Sequence, residues 1–550
     1  LELEFARFLI RTEPEIEPLV LYAAIIVVHE QLQGNICTDL SSIHQSMFAN
    51  KLSITKQNSK KINELILNSS LVGKEGEYKP LILEDNRLYL QKYWSMEAQL
   101  IEWIHQQVKR NDSTINKETL DKIDELFPHS DELNYQKIAV VLSVLKSFVI
   151  ISGGPGTGKT YTVKKIVEAL LVEKPNLKIA MAAPTGKAAE RLNSSLEDLE
   201  SVSEAITLHR LLGARINGVF KYNKDEKLPH DVVIVDEASM LDIRMWVSLT
   251  NALKKSAKLI LLGDKDQLSS VEAGSVLGDI CEGSGNSFSD EVLTLINKTI
   301  VEQPRLVFSN SLLSNHVVLL NKSYRTGKET GISQFAKSIN NQDENKFDAI
   351  ISEFDTINLI EPIEPKINPV IENYCTEIFN GLNSTQFLCS NKKGEYGTIN
   401  INERVENNLK RRLGVPIQQE WFDGRRILIT QNNYSLGLSN GQIGVCLEIE
   451  KGKFIIKFDE NHNVSPSELS HYSPAFAITV HKSQGSEFDN VVLFLPEQHN
   501  SVLFKELLYT AVTRARKNTL VIGSRNIISE TLQNSARRSS GISKKLNLIR

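Results

Sequence analysis

The fold of this 550-residue chain is decided by the stretch Ile150-Ile151-Ser152-Gly153-Gly154-Pro155-Gly156-Thr157-Gly158-Lys159-Thr160. Its last eight residues fit the pattern G-x-x-x-x-G-K-[ST] of a phosphate-binding loop. An apolar run at 147–151 precedes the loop, and apolar residues follow it at helical spacing over 161–171. The sequence therefore predicts a strand, a glycine-rich turn and a helix, in the order that such a loop requires.

This loop indicates a nucleotide site. Its glycines allow backbone N–H groups to point at a polyphosphate at the positive end of the helix. Lys159 is expected to contact the β- and γ-phosphates, and the Thr160 hydroxyl to hold Mg²⁺. Upstream, Gln136 opens an apolar helix, and its amide could read an adenine edge. The alternative, a glycine-rich turn that binds nothing, is disfavoured because Lys159 and Thr160 complete the pattern in place.

Length and composition restrict the class of protein. The chain is long enough for three or four domains, and its 41% hydrophobic and 24% charged residues are typical of soluble globular proteins. No run of 18 apolar residues predicts a membrane span. Five scattered cysteines without a C-x-x-C pair argue against zinc, an iron–sulfur cluster or disulfides, and favour a reducing, cytoplasmic compartment. With a net charge of -4, a nucleic-acid ligand would need a local basic groove.

Alternating strands and helices from 148 to 280 predict a parallel sheet with crossover helices. In such sheets, ligands bind at the carboxyl ends of the strands. The strand at 232–235 ends in Asp236 and Glu237, which could hold Mg²⁺ and activate the attacking water, respectively. The strand at 259–262 leads to Gln267, which could sense the γ-phosphate; the alternative is an ordinary loop amide.

Two features outside this sheet have open interpretations. Residues 1–110 are predicted to form an α-rich N-terminal interaction domain, or a structural cap, with a small hairpin turned at Asp85-Asn86. Within the first α/β unit, Asn217-Gly218 predicts a short hairpin over 215–222. This hairpin could split base pairs mechanically, or it could be an ordinary surface hairpin.

The second half of the chain, 318–550, is predicted to be another α/β unit with a small β-barrel inserted at about 390–475. Aromatic and basic residues in the insertion could stack on bases or could fill the barrel core: Trp421, Phe422, Arg425, Arg426 and Tyr434. Arg514 is predicted to lie in a helix and to supply a charge to the γ-phosphate from this second unit. The basic stretch from 535 onward favours a solvated tail.

In chain order, these segments resemble the motifs of superfamily 1 helicases. Besides the phosphate loop, the similar segments are 183–187, 207–210, 236–239, 263–268, 324–325, 479–487 and 509–516. The details are closer to the RecD family, the α subunit of exonuclease V. They include Pro-Thr-Gly-Lys-Ala-Ala (184–189), Asp-Glu-Ala-Ser-Met (236–240), His-Lys-Ser-Gln-Gly-Ser-Glu (481–487) and Thr-Ala-Val-Thr-Arg-Ala (510–515). At Gly34-Asn35, where the family tends to have Gly-His, the chain departs from the pattern.

The resemblance implies an ATP-dependent 5′→3′ DNA helicase subunit with two RecA-like P-loop domains, at 111–317 and 318–550, and an SH3-like barrel insertion. It implies Mg²⁺ as cofactor, single-stranded and duplex-end DNA as ligands, and RecB-like and RecC-like subunits as partners in bacterial double-strand break repair. The location would be cytoplasmic, and nucleoid-associated when the protein is on DNA. The short sequence before Gln136 favours this complexed form over a standalone RecD-like helicase.

The resemblance also assigns residues to the site. Arg325 and Arg514 would act on the γ-phosphate, and Gly485 and Glu487 would help to bind the nucleotide. The expected DNA contacts are Thr185, Lys187, Thr207, His209, Thr479 and His481. Two other functions stay open: a regulatory scaffold subunit with weak motor activity, and an RNA helicase.

Overall fold

The computed structural model describes the chain except residues 47, 48, 50, 51, 53, 111–113, 128–132, 199–202, 216–217, 271, 297–311, 323–330, 383, 434, 459–461, 501, 537 and 548–550, and the side chains of 56–60. The described chain forms four sheets, two of them entirely parallel. Among the helices of this part, none is both long and apolar enough to cross a bilayer.

The N-terminal unit combines helices with a small sheet of strand order β1-β4-β3-β2. Its elements are α1 (Glu2–Thr12), α2 (Pro18–Leu32), β1 (Cys37–Asp39), α3 (Lys56–Asn68), β2 (Val72–Gly73), β3 (Leu81–Glu84), β4 (Arg87–Leu90) and α4 (Gln91–Val108). Strands β3 and β4 form the predicted hairpin, and Asp85 and Asn86 at its turn have φ of 48° and 62°. Two consecutive left-handed residues are typical of a tight hairpin turn.

The first parallel sheet has six strands in the order β10-β5-β9-β8-β6-β7. Its elements are α5 (Lys117–Leu126), α6 (Tyr135–Leu145), β5 (Phe148–Gly153), α7 (Lys159–Glu173), β6 (Ile179–Ala183), α8 (Gly186–Ser194), β7 (Ile206–Thr207), α9 (Leu208–Leu211), β8 (Val232–Val235), α10 (Ile243–Ala252), β9 (Lys258–Gly263), α11 (Val276–Cys281), α12 (Asp290–Ile296) and β10 (Val317–Leu320). Side chains alternate along β5: Phe148 and Ile150 pack with α4 and α10, whereas Val149 and Ile151 pack with α6 and α7.

Strand β10 corrects the predicted boundary at 318, because it pairs with β5 in the first sheet. Its apolar residues cover the open edge of β5, from Val317 opposite Ile150 to Leu320 opposite Gly153. The polar stretch near 286, which resembles a linker in sequence, is also folded here. The Asn286 side chain bonds to both the N–H and the carbonyl of Leu319, at 2.6 and 2.9 Å.

The rest of the chain adds one parallel and one antiparallel sheet. The elements are α13 (Gly331–Asn341), α14 (Glu344–Glu353), β11 (Ile357–Ile360), α15 (Glu364–Phe379), β12 (Thr385–Cys389), α16 (Thr398–Leu413), β13 (Arg426–Ile429), β14 (Ile443–Glu450), β15 (Lys453–Lys457), β16 (Asn463–Val464), β17 (Tyr472–Pro474), β18 (Ala477–Thr479), β19 (Phe488–Phe494), α17 (Lys505–Val512), β20 (Ala515–Ile522), α18 (Arg525–Gln533) and α19 (Ile542–Asn547). The parallel sheet has the order β11-β20-β19-β12-β18, and the antiparallel insertion has the order β16-β15-β14-β13-β17. Single 3₁₀ turns occur at Ile43–Gln45, Ala238–Met240, Pro466–Glu468 and Val480–Ser483.

The C-terminal stretch is not a solvated tail over its described residues, contrary to the prediction. Helix α19 packs against α4 and α11. Ile542 and Leu546, four residues apart on one face, are buried in the core shared with the first sheet. Its basic residues pair with acids of the N-terminal unit, Lys544 with Asp85 and Lys545 with Glu97. The basic composition of this stretch predicted exposure to solvent because composition does not reveal acidic partners that are distant in the chain.

Candidate ATP site and DNA-facing surface

The phosphate loop joins β5 to α7 in the predicted order. Gly156 and Gly158 both have φ of 79°, the left-handed region that glycine adopts without strain. The Gln136 amide nitrogen donates to the Thr157 carbonyl at 2.9 Å, and a Cβ on Gly158 would clash with that nitrogen. Gln136 therefore braces the loop, and its predicted contact with adenine stays a prediction.

Lys159 begins α7 and is buried. Its ammonium donates to the carbonyls of Gly153 and Gly154. The Lys159 ammonium, the positive charge of the motif, therefore lies over the backbone of the loop itself. Thr160 follows in the first helical turn and is half-buried.

Two acids end strand β8. Asp236 is 3% and Glu237 is 5% exposed, and the Glu237 N–H donates to Asp236 Oδ1 at 2.8 Å. Glu237 has a φ of 52°, a strained conformation for a residue other than glycine, and such strain is typical of functional sites. Burial, and next the charge of Glu237, raise the pKa of Asp236.

Mg²⁺ fits this donor set. A hydroxyl at Thr160 and a buried carboxylate at Asp236 are hard oxygen ligands, and a cation would offset the charge that raises the pKa of Asp236. The described part of the chain has no cluster of three or more His, Cys, Asp or Glu residues suited to a metal.

Arg514 reaches across from the second unit to the first. Its guanidinium donates to the Gln267 side-chain carbonyl, and to the Ser486 carbonyl at 3.2 Å. It is 2% exposed, and burial lowers the pKa of Arg514 while Glu237 acts in the opposite direction. Helix α17 ends at Val512, so Arg514 lies in the turn before β20 and not in a helix as predicted. A turn lets the side chain leave the helix axis and enter the cleft.

A cavity of about 360 Å³ lies between the phosphate loop and the second unit. Its walls include side chains that the sequence did not single out as site residues: Lys265, Lys337, Asn340 and Tyr509. Tyr509 begins the segment 509–516 used for the resemblance, which is the signal that could have identified it. The residues on α13 carried no comparable signal.

Gly485 and Glu487 lie at the interface with α8. A Cβ on Gly485, which has a φ of 74°, would be 3.4 Å from both Thr185 Oγ1 and the Ala188 Cβ. Glu487 pairs with Arg516 at 3.2 Å and Arg191 at 3.7 Å. Their predicted nucleotide contacts stay predictions. Arg325 lies outside the described residues, as does Asn217 of the predicted hairpin.

Three of the predicted DNA contacts are threonines at strand ends. Thr185, Thr207 and Thr479 follow or end β6, β7 and β18, and each hydroxyl caps the next helical turn, accepting from Ala188, Arg210 and Lys482 at 3.2–3.4 Å. Strands β6 and β7 are neighbours, whereas β18 belongs to the second unit. In both units, therefore, a helical turn capped by a threonine begins at the carboxyl end of a strand of the parallel sheet.

The remaining predicted DNA contacts are basic. The Lys187 ammonium lies 5.5 Å from the Phe488 ring centroid, and burial lowers the pKa of Lys187. Burial likewise lowers the pKa of His209 and of His481. The His209 ring lies beside that of Phe220, with 5.8 Å between the centroids and a tilt of 57°, and it lines a second cavity of about 520 Å³ beside α10.

The aromatic and basic residues of the insertion are mostly structural. Phe422 is buried, and Arg425 lies over Trp421 while it pairs with Glu406 at 3.0 Å. The buried Arg426 donates to the Tyr374 hydroxyl at 3.1 Å. Of the two alternatives, a core role therefore fits these residues. Tyr434 lies outside the described part of the chain.

Comparison with protein-family models gives three matches. Residues 136–273 match an AAA domain, 474–522 match the UvrD-like helicase C-terminal domain, and 1–89 match the N-terminal domain of RecBCD enzyme subunit RecD. A solved structure, Bacteroides Pif1 bound to ssDNA, is 18% identical and covers 76% of this chain and 94% of its own, with a TM-score of 0.39. That score is too low to support an argument.

Curated relatives match over most of the chain. RecBCD enzyme subunit RecD of Buchnera aphidicola subsp. Acyrthosiphon pisum (strain APS) is 33% identical over 94% of both chains. The subunit of the same name from Haemophilus influenzae is 32% identical over 85% of this chain and 81% of its own. The ATP-dependent RecD2 DNA helicase of Deinococcus radiodurans is 30% identical over 68% of this chain and 47% of its own. With this identity over nearly its whole length, the chain belongs to the RecD family of ATP-dependent DNA helicases.

Proposed function

We propose that this helicase is the 5′→3′ motor subunit of a heterotrimer with RecB-like and RecC-like chains, and that it unwinds duplex DNA ends in bacterial double-strand break repair. The proposal places it in the cytoplasm, and on nucleoid DNA when active. One observation carries the motor assignment: buried Arg514 of the second unit bonds to Gln267 of the first, beside the phosphate loop. This contact joins the two units next to the loop that would bind the nucleotide, which supports the proposal.

Each residue of the cleft has a defined role in ATP hydrolysis under this proposal. Lys159 and the loop N–H groups bind the phosphates, with Gln136 bracing the loop. Thr160 and Asp236 would hold Mg²⁺, which would supply positive charge to neutralise the phosphates. Glu237 orients the attacking water and accepts its proton, and Gln267 senses the γ-phosphate. Arg514, together with Arg325, stabilises the charge that develops on the transferred group.

Closure of the two units around the nucleotide would move the proposed DNA-binding residues of one unit relative to those of the other. Thr185, Lys187 and Thr207 belong to the first unit, whereas Thr479 and His481 belong to the second. A γ-phosphate that contacts both units stabilises the closed state, and its hydrolysis removes that bias. Translocation is then an alternation between two states of one cleft.

The finer domain assignments are part of the same proposal. The five-stranded antiparallel sheet of the insertion supports an SH3-like barrel, and the N-terminal unit supports an interaction module for the sister subunits. The first unit would comprise about 111–320, with α4 packed on its sheet. For the segment 215–222, of which 216–217 lie outside the described residues, a strand-separating pin and an ordinary surface hairpin both stay open.

The scaffold alternative predicts a degraded catalytic site. Against it, Lys159, Asp236, Glu237, Gln267 and Arg514 are all present, and all are buried. The RNA-helicase alternative is separated by comparing stimulation of the ATPase by single-stranded DNA and RNA.

Unwinding of tailed duplexes tests the polarity. The expected result is ATP-dependent unwinding of a duplex with a 5′ single-stranded tail, and little unwinding with a 3′ tail of equal length. Preference for the 3′ tail would refute the proposed direction. Co-purification of the tagged chain with RecB-like and RecC-like chains tests the assembly; their absence from a preparation that is active as a helicase would favour a standalone enzyme.

A further inference from the structure

Tyr509, in the last turn of α17, connects the two units at the ATP cleft. Its hydroxyl donates to Asp264 Oδ2 at 3.0 Å. It also lies against the phosphate loop, because a Cβ on Gly154 would be 2.8 Å from the hydroxyl oxygen. The side chain is 5% exposed and lines the cavity between the units.

Asp264 links Tyr509 to Gln267 because its carboxylate accepts a hydrogen bond from both side chains. The Gln267 amide nitrogen donates to the same Oδ2 at 2.9 Å, which leaves the amide oxygen to accept from Arg514. A second link runs in parallel, because the Leu268 N–H donates to Thr510 Oγ1 at 2.9 Å. These hydrogen bonds form one network between the two units. The network joins residues 509–514 of the second unit to residues 264–268, which follow strand β9 of the first unit.

This hydrogen-bond network can form in only one orientation of the Gln267 amide. A rotated amide would place its N–H₂ group against the guanidinium of Arg514, and both groups are donors. The Asp264 carboxylate excludes that orientation by accepting from the amide nitrogen. Burial, and next the charge of Asp264, raise the pKa of Tyr509 well above its usual value, so its hydroxyl remains a donor to that carboxylate.

We propose that Tyr509 is a positioning residue for ATP hydrolysis. Through Asp264 it fixes the Gln267 amide, and through that amide it sets the place of Arg514. This inference rests on the proposed roles of Gln267 and Arg514. It differs from them because Tyr509 acts only through its neighbours.

A double-mutant cycle tests it. The ATPase kcat and KM, with saturating single-stranded DNA, are measured for the parent, Tyr509→Phe, Gln267→Ala and the double variant. We expect Tyr509→Phe to lower kcat about tenfold, the size of one lost hydrogen bond, with little change in KM. In the Gln267→Ala background the same substitution should change nothing, because the two act in series. The matched control is Tyr374→Phe, since the Tyr374 hydroxyl is also buried but bonds to the Phe476 carbonyl, in the core of the second unit.

Three outcomes would contradict the inference. An unchanged kcat in Tyr509→Phe refutes it, and so does an equal loss of kcat in both backgrounds, or an equal loss in Tyr374→Phe. The parent and Lys159→Gln are assayed alongside. If the parent has no ATPase that depends on Lys159, the proposed function fails as well, which distinguishes the two failures.

A separate observation concerns the described residues 534–536 and 538–547, which we call the strap. The strap leaves the second unit after α18 and is held there by Glu506 of α17, which accepts from Ser535 Oγ and from the Ala536 N–H, both at 2.8 Å. Three residues later, the Ser539 N–H donates to Asn35 Oδ1 at 2.6 Å, and the Ser539 carbonyl accepts from Ile36 at 2.8 Å. The strap therefore joins α17 to the loop between α2 and β1.

Beyond Ser539 the strap is anchored in the protein interior. The Gly541 N–H donates to Glu97 Oε2 at 2.9 Å, and Lys545 pairs with Glu97 Oε1 at 2.9 Å. Glu97 is 0% exposed, so undocking α19 would remove the cation from a buried carboxylate, which is costly. On the other side, a Cβ on Gly34 would lie 2.7 Å from the Arg538 guanidinium carbon, and Arg538 donates to the Gly274 carbonyl.

We infer that the strap limits how far the two motor units can separate. Three residue steps separate the two anchors, and a fully extended chain spans roughly 10 Å over that length. Because one anchor lies on α17, the helix that carries Tyr509, opening of the cleft is restrained directly. Under this inference, Asn35, at which the chain departs from the family pattern, and the basic C-terminal stretch both help to hold the two units together.

Lengthening the strap tests this inference. Six Gly/Ser residues are inserted between Ala536 and Ser539, and the same six at the exposed turn Gly452 serve as control. Dyes on cysteines introduced at the exposed Lys174 and Lys366 report the separation of the units by energy transfer, and this readout needs no helicase activity. The native cysteines are all buried, which favours selective labelling. We expect the longer strap to shift the distribution to larger separations, and Asn35→Ala to shift it partly. Distributions identical to that of the parent, with α19 still protected from proteolysis, would overturn the inference.

Discussion

Replacement of Arg514 by alanine is the most informative perturbation of the cleft. The side chain is 2% exposed and donates to Gln267, Ser486 and Thr510. It brings a full positive charge from the second unit to a site of low dielectric, where the effect on a developing phosphoryl charge is large. An arginine in this position typically contributes roughly 10³–10⁵ in rate.

We expect the lower end of that range here, because Lys159 and Arg191 leave other positive charge near Asp236. The predicted fall in kcat is about 10³-fold, or about 4 kcal/mol in the activation free energy. Binding of ATP should change much less, since the phosphate loop and Lys159 lie on the other unit. The assay is the ATPase rate with saturating single-stranded DNA, with kcat and KM determined separately.

Folding has to be monitored, because the substitution leaves three buried acceptors with fewer donors, each costing roughly 1–3 kcal/mol at most. Thermal unfolding of the variant is compared with that of Lys517→Ala, which removes an exposed cation three residues further along, paired with Asp489. Lys517→Ala should retain the parent rate. If folded Arg514→Ala retained kcat within tenfold of the parent, the assignment of this arginine would be refuted.

Three further predictions address the acids and the DNA surface. Glu237→Gln should retain ATP binding and lose roughly 10²–10⁴ in single-turnover hydrolysis, because the proton acceptor is removed; rapid turnover would contradict its role. Burial raises the pKa of Asp279 to about 7, with the Ser540 hydroxyl opposing and Glu97 adding to the shift. The folded state then binds the extra proton, so the free energy of unfolding should fall by roughly 2–4 kcal/mol from about pH 4 to about pH 7, and urea titrations of Asp279→Asn should lack that slope. Affinity for single-stranded DNA, from anisotropy, should fall on the order of tenfold between about 50 and 200 mM salt if three phosphates are contacted, whereas a flat response would exclude a basic groove.

Local patterns in the sequence predicted strands β5, β8 and β9 of the first parallel sheet and the loops that follow them. The phosphate loop, Asp236 and Glu237 follow strands whose apolar runs are visible without a structure. The hairpin at Asp85-Asn86 was predictable because turn chemistry is also local. The RecD resemblance was likewise confirmed by relatives that match over most of the chain.

What the sequence did not predict depends on contacts between distant residues. Strand β10 joins β5 across more than 150 residues, and no spacing rule reveals which sheet an isolated apolar run completes. Helix α19 was predicted to be solvated because Glu97, its buried partner, lies in another unit. The importance of Tyr509 was not predicted, although this residue begins the segment 509–516 of the resemblance, because it depends on Asp264, 245 residues earlier in the chain.

The ATPase of the purified chain, with and without single-stranded DNA and beside Lys159→Gln, tests the central claim most directly. The account predicts strong stimulation by DNA that Lys159→Gln abolishes while the variant stays folded. A folded parent chain with DNA-independent turnover, or a Lys159→Gln variant that is as active as the parent, would contradict it.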